Sequence, residues 1–170
     1  LQRAGELVQS FKQIAVDQSS LHKRTFVLKP YLQEVITNLT PKLKLTPHQI
    51  TIVGDEDITL SSYPGAIAQV ITNLVINSLT HAYPDGQAGH LNLTLSSESP
   101  KSETSSQTSL SQTDIESYTQ ITYSDNGCGI PPENQNRIFE PFFTTARAQG
   151  GSGLGLHLVY NLVTQTLEGT

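Results

Sequence analysis

The sequence contains no tryptophan, no methionine and a single cysteine, Cys128, among its 170 residues. One cysteine excludes an intrachain disulfide, and this suits a reducing compartment. Lysine and arginine total only 10 against 15 acidic residues, so the formal net charge is −5, and no basic run of five residues occurs. Because a protein that binds the phosphate backbone needs a basic surface, no nucleic acid is expected as a partner.

Long apolar runs are also missing. No stretch approaches the roughly 18 apolar residues of a membrane span, and no signal peptide opens the chain. We therefore expect no direct membrane contact from this stretch. The chain begins with Leu1 rather than methionine, inside a helical pattern. We expect it to be a piece of a longer protein, in which any membrane segment would lie elsewhere.

Apolar side chains are almost absent from residues 96–119, which are mostly Ser, Thr, Gln and acidic residues. Such a segment cannot bury enough surface to order itself, and it predicts a long mobile loop between two strands. A phosphorylatable regulatory insert is the functional alternative to a simple solvated loop.

A long helix is predicted over Ala66–Tyr83. Two amides, Asn73 and Asn77, stand four residues apart on a polar stripe that Thr80 and His81 extend. Such amides suit a hydrated Mg²⁺ beside phosphates, since Mg²⁺ takes oxygen ligands and keeps several waters. A polar side that simply faces solvent is the alternative. The other face carries residues at helical spacing: Ile67, Val70, Ile71, Leu74, Val75, Ser78 and Leu79.

Alternation and turn residues place the other elements. Gln49–Val53 and Ile58–Ser61 flank a Gly-Asp-Glu-Asp turn and predict a β-hairpin. The remaining predictions are an amphipathic helix over residues 1–18, a strand over Thr25–Leu28, a helix from Pro30 to about Leu39, and strands over His90–Leu95 and Gln120–Tyr123.

The stretch YSDNGCGIPP places Asp125 at a strand end, before a turn with Gly127 and Gly129. Glycines permit close approaches that side chains forbid. A carboxylate held at such a turn can accept a hydrogen bond from an exocyclic amine. An ordinary Asp-Asn-Gly turn is the plain alternative.

Two stretches follow near the end of the chain. RIFEPFFTT gathers Phe139, Phe142 and Phe143 around Pro141, which suggests a packed hinge, a pocket wall or a small hydrophobic cluster. GGSGLGL precedes a helix predicted over His157–Leu167. A glycine-rich loop that opens a helix is suited to an anion. Neither the P-loop pattern nor G-x-G-x-x-G occurs.

Four of these stretches together resemble the ATP-binding domain of sensor histidine kinases. That domain belongs to the GHKL superfamily, shared with type II topoisomerases, a heat-shock chaperone and mismatch-repair ATPases. NLVINSLTHAY resembles the N box, DNGCGI the first glycine box, FEPFFTT the F box and GGSGLGL the second glycine box. The resemblance covers about residues 25–170.

The resemblance implies a Bergerat-type α+β fold. This is a two-layer α/β sandwich with a mixed, mostly antiparallel sheet and helices on one face. The family continues into closing strands beyond the position of Leu167, so a sheet truncated at the C-terminus is expected. The domains would be the end of a dimerisation-hairpin helix with its linker over 1–22 and the catalytic domain over 23–170, including the insert at 96–119.

The resemblance also implies ATP and Mg²⁺ as cofactors. Asn77 would coordinate the metal, Asn73 would help to hold the phosphates, and Asp125 would accept from the adenine amine. Gly127 and Gly129 would shape the adenine pocket, and a lid over Thr144–Gly150 would carry Arg147 toward phosphate. The other nucleotide-binding candidates are Thr80, His81, Ile130, Phe142, Thr144, Gly151, Ser152, Gly153, Leu154, Gly155 and Leu156.

One position separates the kinases from the hydrolysing relatives. Hydrolysing members carry a Glu one turn before the metal-binding Asn, and this chain has Asn73 there. An amide cannot take a proton from water as a carboxylate does. The resemblance therefore favours a histidine kinase that donates the γ-phosphoryl group of ATP. A hydrolysing ATPase and a non-catalytic nucleotide-binding interaction module stay as alternatives.

The phosphoacceptor itself is missing. None of the five histidines stands before Glu or Asp in the manner of the acceptor box: His22, His48, His81, His90 and His157. The expected partners are accordingly the dimerisation and phosphoacceptor domain of the parent kinase, a response regulator receiver domain, and a second copy through the parent. A cytoplasmic location is implied.

Overall fold

The computed structural model describes residues 22–98, 118–146 and 151–170. The predicted helix at 1–18, Arg147 and residues 99–117 of the predicted insert lie outside these ranges. The described part is α+β, as predicted. Within it, no helix has both the length and the apolar character that crossing a membrane requires.

The described elements are five strands, four α-helices and two π-helical turns. The elements in order are β1 (Arg24–Val27), α1 (Leu28–Leu43), β2 (Gln49–Gly54), β3 (Thr59–Ser62), α2 (Pro64–Asn77), a π-helical turn (Ser78–Ala82), β4 (His90–Glu98), β5 (Tyr118–Asp125), a short α3 (Pro132–Gln135), α4 (Gly155–Asn161) and a second π-helical turn (Leu162–Thr166).

The described strands form two sheets. β4 lies in the centre of the larger sheet, parallel to β2 and antiparallel to β5. β1 and β3 form a separate antiparallel pair. The predicted hairpin between β2 and β3 is therefore wrong, because each of these strands pairs with a strand far away in sequence. The Gly-Asp-Glu-Asp stretch connects a strand of one sheet to a strand of the other and is not the turn of a hairpin.

The larger sheet buries one face only. Leu91, Leu93 and Leu95 of β4 are at most 1% exposed, while the alternate Asn92 and Thr94 face solvent. The buried side packs against apolar residues of α1 and α2. Because a strand's side chains alternate between faces, this pattern puts the helices on one side and water on the other. The result is the predicted two-layer arrangement.

α1 is longer than predicted at both ends. It begins at Leu28, two residues before Pro30, and runs through Pro41 to Leu43. Pro30 lies in the first turn, where its missing N–H costs nothing. Pro41 lies in the last turn, and the Lys44 N–H still donates to the Thr40 carbonyl at 2.9 Å. The apolar stripe that packs on the core extends the helix past the proline.

The strands around the predicted insert extend into it. Ser96, Ser97 and Glu98 continue β4 and pair with Gln120, Thr119 and Tyr118 of β5. Glu98 and Tyr118 are direct partners, so a short turn is long enough to join them.

We expect that replacing residues 99–117 by a two-residue Asn-Gly turn leaves the melting temperature and ATP affinity nearly unchanged. The composition of that stretch offers too little apolar surface to contribute to the core. Thermal unfolding and nucleotide titration of the shortened chain test this. A melting temperature lower by more than about 4 °C, which is at least roughly 1 kcal/mol for a domain of this size, would show that the stretch packs on the domain.

Candidate functional site

The two amides of α2 lie at the junction with α4. Asn73 and Asn77 are both partly buried. Gly155, the first residue of α4, faces them: a Cβ built on it would lie 3.6 Å from Asn77 Oδ1 and 3.9 Å from Asn73 Oδ1. The amides therefore line a junction between two helices, and they do not sit on a fully solvated face.

One atom of this junction lacks a partner. Asn73 Nδ2 is buried and makes no hydrogen bond to any residue in the described ranges. Leaving a buried donor unpaired costs about 1–3 kcal/mol. An acceptor oxygen, such as one from a phosphate, would remove that cost. The donor set at this junction therefore fits an oxygen-rich anion.

The same junction offers oxygen to a metal ion. Asn77 Oδ1 is a hard oxygen atom of the kind that Mg²⁺ prefers. Across the described ranges, no group of three or more His, Cys, Asp or Glu could hold a metal by itself. Since Mg²⁺ is commonly held by one or two protein ligands together with substrate phosphates, a single amide oxygen fits that ion.

Thr80 and His81 lie in the π-helical turn that continues α2. Both are exposed, and the Thr80 hydroxyl donates to the Ile76 carbonyl at 2.8 Å. The extra residue that a π turn inserts changes the direction of the side chains after Asn77. The structure thus places both candidates beside the amides, at the solvent side of the junction.

Asp125 stands at the end of β5, exposed, with both carboxylate oxygens held. The Gly127 N–H donates to Oδ1 at 2.9 Å, and the Ser78 hydroxyl donates to Oδ2 at 2.6 Å. Each carboxylate oxygen has two lone pairs, so each keeps one for a ligand. The carboxylate is therefore fixed in position and still able to accept from outside.

The first glycine stretch contacts the π-helical turn directly. A Cβ on Gly127 would lie 2.4 Å from Ala82 Cβ and 2.5 Å from the Ala82 carbonyl oxygen, which leaves room only for glycine. The Cys128 N–H donates to that same carbonyl at 2.8 Å. Gly129 has φ +71° with open space around it, and Ile130 after it is 45% exposed. The stretch thus holds Asp125 against the end of α2.

The sequence analysis did not identify the side chains that hold Asp125 from the protein side. Tyr123, two residues earlier on the same face of β5, donates to Ser78 Oγ at 2.7 Å. Burial raises the pKa of Tyr123 well above its usual range, and the Asp125 charge raises it further. The phenol therefore stays protonated at neutral pH. The sequence feature that could have revealed this contact is Ser78, a polar residue that continues the apolar face of α2.

Asn126 and Tyr83 were also missed. Asn126 Oδ1 accepts from the Tyr83 hydroxyl at 3.0 Å and from the His90 N–H at 2.7 Å. The Tyr83 ring lies against His48, with 4.4 Å between ring centroids. These contacts attach the turn after Asp125 to the start of β4.

The phenylalanine stretch and the second glycine stretch form one unit. Phe142 has φ +66°, is 63% exposed, and donates its N–H to the Gly153 carbonyl at 2.9 Å. A Cβ on Gly153, at φ +68°, would lie 2.5 Å from the Phe142 carbonyl carbon. Phe139 packs on Tyr160, and the Arg137 guanidinium lies 4.6 Å from the Phe143 ring centroid. Phe139 and Phe143 therefore contact different side chains, and the Phe142 backbone joins this stretch to the glycine loop.

The ends of the predicted lid meet at its base. The Gly151 N–H donates to the Ala146 carbonyl at 3.0 Å, and the Ala146 N–H donates to Thr144 Oγ1 at 3.1 Å. Ser152 Oγ accepts from the Leu154 N–H at 3.3 Å, ahead of α4. Leu154 is exposed and Leu156 partly buried. The two ends of the predicted lid are thus hydrogen-bonded to each other, just ahead of the helix whose first residue faces the amides.

The candidates fall into two adjoining groups. Asp125 is held by Ser78, which directly follows Asn77, while Asn73 and Asn77 face Gly155. The end of one helix therefore carries the amides and, one residue later, the serine that holds a hydrogen-bond-accepting carboxylate of β5. This order suits a ligand with an amine-bearing ring at one end and charged oxygens at the other.

Comparisons with known proteins identify the family. Residues 63–170 match the family described as histidine kinase-, DNA gyrase B- and HSP90-like ATPase. The sensor kinase CckA of Brucella abortus (strain 2308) is 33% identical over 102 residues, 60% of this chain and 10% of that protein. The sensory histidine kinase/phosphatase NtrB of Salmonella typhimurium (strain LT2) is 32% identical over 122 residues, 70% of this chain and 32% of that protein.

Solved structures show the same fold. The catalytic domain of histidine kinase ThkA, in a nucleotide-free form, superposes with a TM-score of 0.63 at 22% identity, covering 85% of this chain and 82% of that one. The chain spans about a third or less of the length of the two curated relatives above.

Proposed function

The chain belongs to the family of histidine kinase-, DNA gyrase B- and HSP90-like ATPases, and on that premise we propose that it binds Mg·ATP and donates the γ-phosphoryl group to a histidine of its parent sensor kinase. The observation that carries the proposal is that two groups meet at one helix. The Asp125 carboxylate is held by Ser78, the residue after Asn77, and the amides of Asn73 and Asn77 face the glycine that opens α4.

The adenine end rests on Asp125. Its carboxylate accepts a hydrogen bond from the exocyclic amine of adenine, and the Gly127 and Ser78 donors hold it in place. Gly129 and Ile130 leave the space beside it open for the ring. Guanine carries a carbonyl oxygen where adenine carries the amine. That oxygen and the Asp125 carboxylate are both acceptors, so they repel each other and form no hydrogen bond. The site therefore selects adenine.

The phosphate end rests on the amide junction. Asn73 Nδ2, buried and without a hydrogen bond in the described ranges, donates to a phosphate oxygen. Asn77 Oδ1 holds Mg²⁺, which supplies charge neutralisation to the triphosphate when it is bound. Gly151, Ser152, Gly153 and Gly155 border the phosphates with backbone and small side chains, and Thr144 and Arg147 belong to the lid.

The reaction requires little covalent work from this chain. Its side chains position ATP so that the acceptor imidazole nitrogen attacks the γ-phosphorus; the bond to the β-bridging oxygen breaks, and ADP leaves. No carboxylate occupies the place of Asn73 to take a proton from water, so hydrolysis competes poorly. A hydrolysing ATPase is the alternative function, and Asn73 argues against it.

The partners follow from the missing acceptor. We propose that the histidine lies on a dimerisation and phosphoacceptor domain of the same parent, and that a receiver domain then takes the phosphoryl group. The relatives described as sensor kinase and sensory histidine kinase/phosphatase support this assignment, since they are much longer than the stretch that matches.

Asn77→Ala tests the metal end. We expect Mg·ATP affinity to fall by at least about tenfold, since a ligand to the ion is lost, while affinity for ADP in EDTA stays within about twofold. Titration calorimetry with Mg·ATP and with ADP in EDTA measures the two affinities. Asn77→Asp, which keeps the oxygen ligand, should retain magnesium-dependent binding. If the alanine variant lost metal-free ADP binding equally, the metal role of Asn77 would be wrong.

A further inference from the structure

A buried hydroxyl relay stands directly behind the ligand-accepting carboxylate. Ser78 is 4% exposed, whereas the Asp125 that it contacts is exposed. Ser78 opens the π-helical turn that continues α2, and it lies on the same buried face as Ile71 and Val75, where an apolar residue would pack equally well. A polar group at such a position must be satisfied, and here both of its partners belong to β5.

The direction of this relay is determined by its chemistry. A carboxylate has no proton to donate, so the Ser78 hydroxyl must give its single proton to Asp125 Oδ2, at 2.6 Å. Ser78 Oγ can then only accept from the Tyr123 hydroxyl, at 2.7 Å. Both protons therefore point toward the carboxylate, and the order is Tyr123 to Ser78 to Asp125.

We propose that Ser78 and Tyr123 are positioning residues that set the nucleobase specificity of Asp125, an inference that rests on the proposed nucleotide site. The relay does this by fixing the orientation of the carboxylate. Ser78 donates a hydrogen bond to Oδ2 from the protein side, and the Tyr123 hydroxyl in turn holds the Ser78 hydroxyl.

The consequence for specificity concerns the orientation of the carboxylate. Asp125 rejects a base with a carbonyl oxygen only while its acceptor oxygens are held toward that base. The Ser78 hydroxyl on Oδ2 and the Gly127 N–H on Oδ1 together keep the group from turning. Without the Ser78 contact the carboxylate can rotate away from a carbonyl oxygen, whereas an amine still attracts it. Losing the relay should therefore relax discrimination more than it weakens adenine binding.

The test uses the whole chain with ADP and inosine diphosphate, which carries a carbonyl oxygen in place of the amine. Both affinities are measured in EDTA by calorimetry, so that metal binding plays no part. We expect Ser78→Ala to lower the ratio of ADP to inosine diphosphate affinity about fivefold or more. Tyr123→Phe, which removes only the hydroxyl, should lower it in the same direction.

A double variant separates a relay from two independent effects. Because Tyr123 acts through Ser78, adding Tyr123→Phe to Ser78→Ala should change the ratio no further. Ile71→Val is the matched control: it removes a core methylene on the same helix face and touches neither partner. It should lower the melting temperature and leave the ratio at its unmodified value.

The outcomes are distinct. If Ser78→Ala lowers the melting temperature but keeps the unmodified ratio, the role is structural and the inference is wrong. Additive effects in the double variant would overturn the relay order. Where Ser78→Ala does not fold, an unchanged ratio in Tyr123→Phe overturns the inference by itself. If the unmodified chain binds both nucleotides equally, it is the proposed adenine site that fails.

Discussion

Replacing Asp125 by alanine is expected to weaken ADP binding by roughly 5- to 150-fold and to remove the preference for adenine over guanine. The loss corresponds to about 1–3 kcal/mol for an exocyclic amine left without its acceptor. The variant also leaves the Ser78 hydroxyl without its present acceptor, at 2.6 Å. Calorimetric titration with ADP and GDP, before and after the substitution, measures both effects.

A second aspartate provides the control. Asp85 is exposed in the turn after the π-helical turn, and Asp85→Ala changes the net charge by the same amount. It should leave both affinities within about twofold of the unmodified values. Asp125→Asn should bind ADP weakly. Its affinity for GDP relative to ADP should rise, since its amide can donate to the guanine carbonyl. Equal affinity for ATP and GTP in the unmodified chain would contradict the adenine assignment.

This chain should not phosphorylate itself, yet it should phosphorylate a separately supplied acceptor hairpin of its parent. Labelled ATP with the chain alone is expected to give no protein-bound label. Adding the hairpin should give acid-labile label on the hairpin, slowly, because tethering normally supplies the effective concentration. Denaturing gels with radiolabelled ATP measure the label, and the Asn77→Ala chain serves as the negative control.

The structure limits which histidines could contradict this expectation. His157 has both ring nitrogens engaged, Nδ1 with the Phe139 carbonyl at 3.0 Å and Nε2 with Asn161 at 3.1 Å. His48 Nδ1 accepts from the Gly89 N–H at 3.0 Å. His22, His81 and His90 are exposed. Label on the chain that disappears when one of these three is mutated would overturn the donor role. Rapid phosphate release without any acceptor would favour the hydrolysing ATPase.

Local patterns predicted the elements better than their pairing. Helical spacing placed the apolar face of α2 correctly, with Ile67, Ile71 and Val75 buried. Alternation placed β4, whose leucines fill the core. The hairpin between β2 and β3 failed because turn chemistry reports only local geometry. Which strand lies beside which is decided by packing against α1 and α2, and a single sequence carries little information about that.

The site was predicted as a set of residues but not as a set of contacts. The family resemblance supplied Asn73, Asn77 and Asp125. Both asparagines lie on α2, and Asp125 at the end of β5 contacts Ser78, the residue after Asn77. Ser78 and Tyr123 were not predicted because their hydrogen bond joins residues 45 positions apart. A serine on an apolar helix face also reads as a small core residue. Their role becomes visible only when β5 lies against the end of α2.

The separation of β2 and β3 into different sheets determines when each strand can find its partner during synthesis. Gln49 of β2 pairs with His90, and Arg24 of β1 pairs with Ser62. As the chain leaves the ribosome, β1 and β2 are therefore made well before either can pair. Contacts so distant in sequence slow folding, and unpaired edges invite association with other chains. A nascent chain of this domain would have its greatest need for a chaperone before β4 is complete.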